Sequence, residues 1–224
     1  MDYLLNHFDR VWPRFVEHLQ ITGLTLGFAL LIALPIGLLI SRWPRLSPPV
    51  LGLFGIIYTI PSLALFAFMI PFLGLGTQTA VIVLIAYSQL ALVRNINIAF
   101  RGLDPAVLEA ARGIGMTPRQ VLWQVELPLA LPVILAGVRI ATLAIISLAT
   151  IAAWIGAGGL GQMLLNGVSQ DNPNVVIAGV ICVTALALAA DGLFRLIEWT
   201  LSPYRRPLSG ARRRALDAQI PEHV

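Results

Sequence analysis

Leu46 to Val93 is a run of 48 residues without a single Asp, Glu, Lys or Arg. A bilayer hydrocarbon core about 30 Å thick takes about 20 apolar helical residues to cross, so this run alone holds two crossings. Uncharged stretches also occupy Leu19–Ser41, Ile140–Gln170 and Asn172–Ala190. Of the 224 residues only 12% are charged and 58% are apolar, against roughly a quarter charged in soluble domains. Soluble and disordered classes are both excluded. The pattern predicts an all-α polytopic membrane protein of about five spans, near residues 21–40, 50–72, 77–93, 129–154 and 174–200, in a membrane domain covering 20–202. Pro61 interrupts the second span.

Residues 1–19 set Asp2, Asp9, Arg10, Arg14 and Glu17 among Leu4, Phe8, Val11, Trp12 and Phe15. They predict an amphipathic helix at the membrane interface with Trp12 as anchor. They lack the basic start and small-residue cleavage site of a signal peptide. Residues 203–224 read as a basic tail. All 15 basic residues are arginine, which removes the lysine chemistry of phosphate loops and Schiff bases. Arg42, Arg45, Arg94, Arg101, Arg112 and Arg119 share one side of the membrane with the tail arginines. The loops 71–79 and 156–173 on the other side hold none. The positive-inside rule puts the N-terminus outside and the C-terminus and the 94–128 loop in the cytoplasm. Flanking arginines also account for the net charge of +4, so nucleic acid is not expected as a partner. Cys182 reads as a small core residue, and His7, His18 and His223 lie in the terminal segments, so no metal site is expected.

The 94–128 loop carries the sharpest local signals. Asp104 before Pro105 is an N-cap followed by proline at the first helical position. Thr117, Pro118 and Gln120 spell a capping box for a second short helix. Gly113 or Gly115 loosens the first helix, and Pro128 and Pro132 are expected to end the second. A compact helix–turn–helix with little bulk at Ala110 and Ala111 is suited to docking a partner.

At these residues the chain resembles the permease subunits of bacterial ABC importers. Their cytoplasmic signature is Glu-Ala-Ala, three residues, Gly, nine residues, Ile, any residue, Leu-Pro. Glu109-Ala110-Ala111, Gly113 inside the three-residue gap, Gly115 and Leu127-Pro128 match it, with Val125 in place of Ile. The resemblance implies a MetI-like permease fold in which this loop is the coupling helix seated on an ATPase. It implies ABC ATPase subunits that use ATP and Mg, an extracytoplasmic solute-binding protein, and a second permease copy or homologue forming a dimer. It also implies residence in the bacterial inner membrane, no cofactor on this chain and no catalysis by it. Glu109 is the candidate charged contact with the ATPase. The stretches Tyr58–Leu65 and Ile155–Gly161 are similar to the osmoprotectant branch, which imports glycine betaine, carnitine and choline. An amino acid or another betaine-like solute is the alternative cargo, and a passive channel or scaffold the more distant one. An intramembrane enzyme is disfavoured, since the spans hold no paired carboxylates or nucleophilic set.

Polar residues inside spans face the bundle interior or bond to their own helix. Ser62, Tyr87, Gln89, Ser147 and Thr150 are substrate-route candidates on the first reading and structural on the second. Trp154 offers either a cation–π face or an interfacial anchor. Gly156, Gly158, Gly159 and Gly161 predict a tight extracellular turn, with or without a gating role. Arg139 lacks a local acid and is expected to pair with Asp191 or Glu198; Asp191 also shares a helix face with Arg195, one turn on. A reporter fused after Val224 should be active only in the cytoplasm; activity only outside would invert the orientation.

Overall fold

The computed structural model describes Tyr3 and residues 7–201; the predicted tail at 203–224 lies outside the described residues. Among the described residues there are helices and turns and no strands. The chain runs α1 (Phe8–Arg42), α2 (Ser47–Thr59), α3 (Ser62–Leu73), α4 (Thr77–Arg101), α5 (Pro105–Gly113), α6 (Leu127–Ile151), α7 (Gly159–Ser169) and α8 (Pro173–Leu201). Four stretches are long and apolar enough to cross a membrane, and the bent pair formed by α2 and α3 brings the number to five.

α1 corrects one sequence expectation. The amphipathic start is continuous with the first span, in one helix of 35 residues. At 1.5 Å per residue it is about 52 Å long, so it overshoots a core of about 30 Å by several turns, and those turns carry the N-terminal charges. Its buried stripe includes Thr25, Ala29, Ala33 and Gly37, a small residue every fourth position. Such stripes let membrane helices approach closely, and α1 packs most extensively on α4. The approach is tight: a Cβ on Gly37 would stand 2.5 Å from the Ile96 side chain. α4 in turn packs on α6 and is the centre of the bundle.

Three further expectations change. The second span is two helices, broken at Ile60-Pro61 with a bend of 95°. Both break residues are extended (ψ 129° and 132°), because proline disfavours helical geometry in the residue before it. The third helix runs on to Arg101 instead of ending near Val93, so Arg94 sits on the helix. Pro128 and Pro132 do not end the short helix after Thr117. A turn of π-helix at Val121–Glu126, in which Leu127 N–H reaches Leu122 O, joins it to α6. The wider turn accommodates a proline that would otherwise clash with the preceding turn.

Between α6 and α8, Arg139 Nε donates to Asp191 Oδ1 at 2.5 Å, and Arg195 Nε lies 2.8 Å from Asp191 Oδ2. Glu198 Oε2 stands 3.7 Å from Arg139. Two cations and two carboxylates thus neutralise one another where a lone charge would be costly. Asp191→Asn removes the shared negative charge and one of its two accepting oxygens and should cost about 2 kcal/mol, since the cluster is only partly buried. Arg195→Gln, at the more exposed end, should cost less than about 1 kcal/mol. Thermal unfolding in lipid nanodiscs checks the ranking, and an equal or reversed order would refute it.

Candidate functional site

The helix–turn–helix of the 94–128 loop is built as the capping residues dictate. Asp104 Oδ1 accepts the Ala106 N–H at 2.9 Å to start α5. α5 ends in a paired backbone closure, with Gly115 N–H on Arg112 O at 3.0 Å and Met116 N–H on Ala111 O at 3.2 Å. This closure places its penultimate residue in the left-handed region, and Gly115 has φ +87°. Thr117 and Gln120 then form the reciprocal capping box. Ala111 is buried against the π-helical turn, whereas Glu109, Ala110, Gly113 and Gly115 face outward. Beside them stand large apolar side chains in the open: Ile114 is 81% exposed and Trp123 66%. Exposed apolar side chains of this size on a loop outside the spans are the kind of surface that marks an interaction site.

The element is tied to the first span by one interaction that sequence reasoning missed. Glu126, at the unspecified position of the motif, is 2% exposed and receives both guanidinium nitrogens of Arg42. The signal was available as a lone acid one residue before Leu127-Pro128. Leu127 is half-buried and Pro128 exposed, where they begin α6. A cavity of about 530 Å³ beside the pair is lined by Arg42, Arg112, Arg119 and Glu126, three cations to one anion.

At the opposite end the Gly-rich segment is more than a turn. Gly156, Gly158 and Gly159 all have positive φ, and the segment leads into α7, which packs back on α1 and α8. Glu17 Oε2 accepts the Gly159 N–H at 2.8 Å, and a Cβ on Gly158 would sit 2.2 Å from the Glu17 carboxylate. His18 is fully buried, with Nε2 3.2 Å from Ile146 O. Gly161 lies flat against the backbone of Thr150. Gly76 N–H on Ile155 O and Thr77 Oγ1 on Ala157 O fasten the same segment to the start of α4. The N-terminal overshoot of α1 therefore helps hold the Gly-rich segment in place.

The intramembrane polar residues do not form one cluster. Gln89 is buried and donates to Ala29 O at 3.3 Å and Ile85 O at 3.2 Å, a packing role. Ser147 and Thr150 line a cavity of about 600 Å³ between α6, α7 and α8 that reaches Asp191, and the Thr150 hydroxyl is bonded to Ser147 O. Tyr87 is buried and donates to Ile60 O at the α2–α3 break, beside half-buried Ser62. Trp154 is 66% exposed at the outer end. No group of three potential metal ligands occurs among the described residues.

Comparison with known proteins adds the following. Residues 28–202 match the family described as binding-protein-dependent transport system inner membrane component. The chain is 42% identical to the osmoprotectant import permease protein OsmW of Salmonella typhimurium, over 90% of this chain and 96% of that one. It is 40% identical to the carnitine transport permease protein OpuCB of Listeria monocytogenes, over 84% and 86% of the two chains. It shares the same identity and coverage with the choline transport system permease protein OpuBB of Bacillus subtilis. Among solved structures, an inward-facing MetNI methionine ABC transporter chain superposes with a TM-score of 0.79 at 24% identity, covering 88% of this chain and 98% of that one; this likeness concerns the fold.

The two coupling-loop glycines should behave differently. A side chain at Gly115 meets no neighbour but is strained by its φ of +87°, at about 1–2 kcal/mol. Gly113 has open space and no such φ, so Gly113→Ala should be neutral or stabilising by up to about 1 kcal/mol. Amide exchange at Ile114–Met116 should accelerate in Gly115→Ala only; equal behaviour of the two variants would contradict the closure described.

Proposed function

The chain belongs to the family of binding-protein-dependent transport system inner membrane components, and on that premise we propose how it works as the permease subunit of an osmoprotectant ABC importer. Its cargo is a quaternary-ammonium solute such as carnitine, choline or glycine betaine. The observation that carries this cargo is identity near 40% across most of the chain to relatives named for carnitine, choline and osmoprotectant transport. The permease functions as a dimer in the inner membrane, with the N-terminus outside and the arginine-rich ends inside, supported by the arginine asymmetry. It carries no catalytic residue; ATP and Mg belong to the partner ATPase, and an extracytoplasmic binding protein delivers solute to the Gly-rich end.

The coupling element works by differential contact. An ATPase that closes on ATP can shift the permease only if it binds the element differently in its two states. Ile114 and Trp123 supply apolar contact, Glu109 a charged one, and the arginine-lined cavity beside them suits acidic partner side chains. Movement of the docked element passes to α6 through the continuous π-helical turn and to α1 through Arg42 and Glu126. The outer closure at Glu17 and Gly159 lies at the far end of the same α1.

Uptake of radiolabelled choline into vesicles bearing the permease, its ATPase and its binding protein tests the assignment. Wild type should accumulate choline in an ATP-dependent manner; failure with choline, carnitine and glycine betaine alike would overturn the cargo. Ile114→Asp and Glu109→Lys should each cut uptake at least about ten-fold, the effect of 1.4 kcal/mol at the docking step. Solute affinity of the binding protein should stay unchanged. Wild-type uptake and ATPase capture in both variants would refute the coupling face.

A further inference from the structure

The break between α2 and α3 is open to its surroundings. Tyr58 is 52% exposed, Ile60 36% and Leu63 51%, and Thr59 and Pro61 are exposed as well. Non-helical backbone at membrane depth is tolerated only where protein buries it or where it lines an aqueous cavity. From Ser47 to Tyr58 the helix rises about 17 Å, roughly half of a core about 30 Å thick. Among the described residues nothing buries the open side of the break, so that side faces the water-filled route or a second permease that encloses that route.

The chemistry there is specific. The C-terminal end of α2 presents the negative end of its dipole. Tyr87 pins the geometry by donating to Ile60 O, and its ring meets that of Tyr58 edge to face, centroids 6.0 Å apart at 64°. Tyr87 is buried, so Tyr58 is the ring presented outward. No residue from Leu46 to Val93 carries a charge, so the segment itself supplies no fixed cation to repel a cationic head group. A quaternary ammonium cannot donate hydrogen bonds, and an aromatic face with a helix C-terminus is the neutral surface that attracts it. Broken membrane helices offer cations this kind of end.

We propose that Tyr58, held by Tyr87 at the Ile60-Pro61 break, is a transient docking face for the quaternary-ammonium group midway through the membrane. This rests on the osmoprotectant cargo proposed above. The test is choline uptake by the complete transporter in vesicles, with Tyr58→Leu, Tyr58→Phe and a series placing progressively fluorinated phenylalanines at position 58. Fluorination empties the ring face of negative potential while nearly preserving its size. kcat/KM should fall about five- to ten-fold in Tyr58→Leu, stay within about two-fold in Tyr58→Phe, and decline stepwise with fluorination. ATP hydrolysis stimulated by the loaded binding protein should persist in the fluorinated series, which separates docking from folding. Choline uptake by wild type that is indifferent to fluorination, or retained in Tyr58→Leu, overturns the role of Tyr58 alone. Wild type that carries no quaternary-ammonium solute overturns the cargo and this site with it.

Discussion

Glu126 is a carboxylate with 2% of its side chain exposed, placed where the short helices of the 94–128 loop become a membrane helix, and Arg42 is the group that makes its burial tolerable. Stranding a buried charge costs roughly 3–5 kcal/mol, less where one partner is partly solvated; Arg42 is 46% exposed, which places this pair near the lower end. The bond is bidentate, so it fixes orientation as well as proximity. Two elements 84 positions apart in sequence are thereby held in one relative position. The π-helical turn already joins the short helices of the 94–128 loop to α6, and the pair adds α1 to the same unit.

The link matters because of what α1 does elsewhere. The helix is long enough to overshoot the bilayer core, and at its N-terminal end Glu17 caps the backbone of the Gly-rich segment while His18 packs beneath Gly159. One continuous helix thus touches the Glu126 element at one end and the Gly-rich segment at the other. Its stripe of small residues keeps it against α4, and α4 carries Tyr87, whose hydroxyl holds the broken α2–α3 pair. Backbone groups need partners at each of these places: the break is capped by a tyrosine, the Gly-rich start by a carboxylate, and the proline entry to α6 is accommodated by a widened turn.

Much of this was legible in the sequence, for identifiable reasons. Span number followed from the uncharged runs, which the membrane imposes residue by residue. The caps at Asp104 and Thr117 are local hydrogen-bond chemistry, and they form where the sequence puts them. Arg139 and Asp191 meet because few buried charges are available and each needs a partner. What escaped was long-range or depended on backbone choice. The pairing of Arg42 with Glu126 and of Glu17 with Gly159 joins distant segments with no shared pattern. Pro61 permitted a kink or a full break, and only packing against Tyr87 selects the break. Pro128 signals a helix end unless a π-helical turn absorbs it. The substrate-route candidates scattered because hydroxyls and amides bond to backbone as readily as they line a path, as Gln89 does.

The account turns on the claim that Arg42 and Glu126 transmit movement as a unit. A double-mutant cycle with Arg42→Gln, Glu126→Gln and the pair together, read as solute imported per ATP hydrolysed by the reconstituted transporter, tests it most directly. Each single change is expected to lower that ratio, and the double change should be no worse than the poorer single, because the second substitution removes a group already without its partner. Single variants at the wild-type ratio, or losses that multiply in the double variant, would contradict the account.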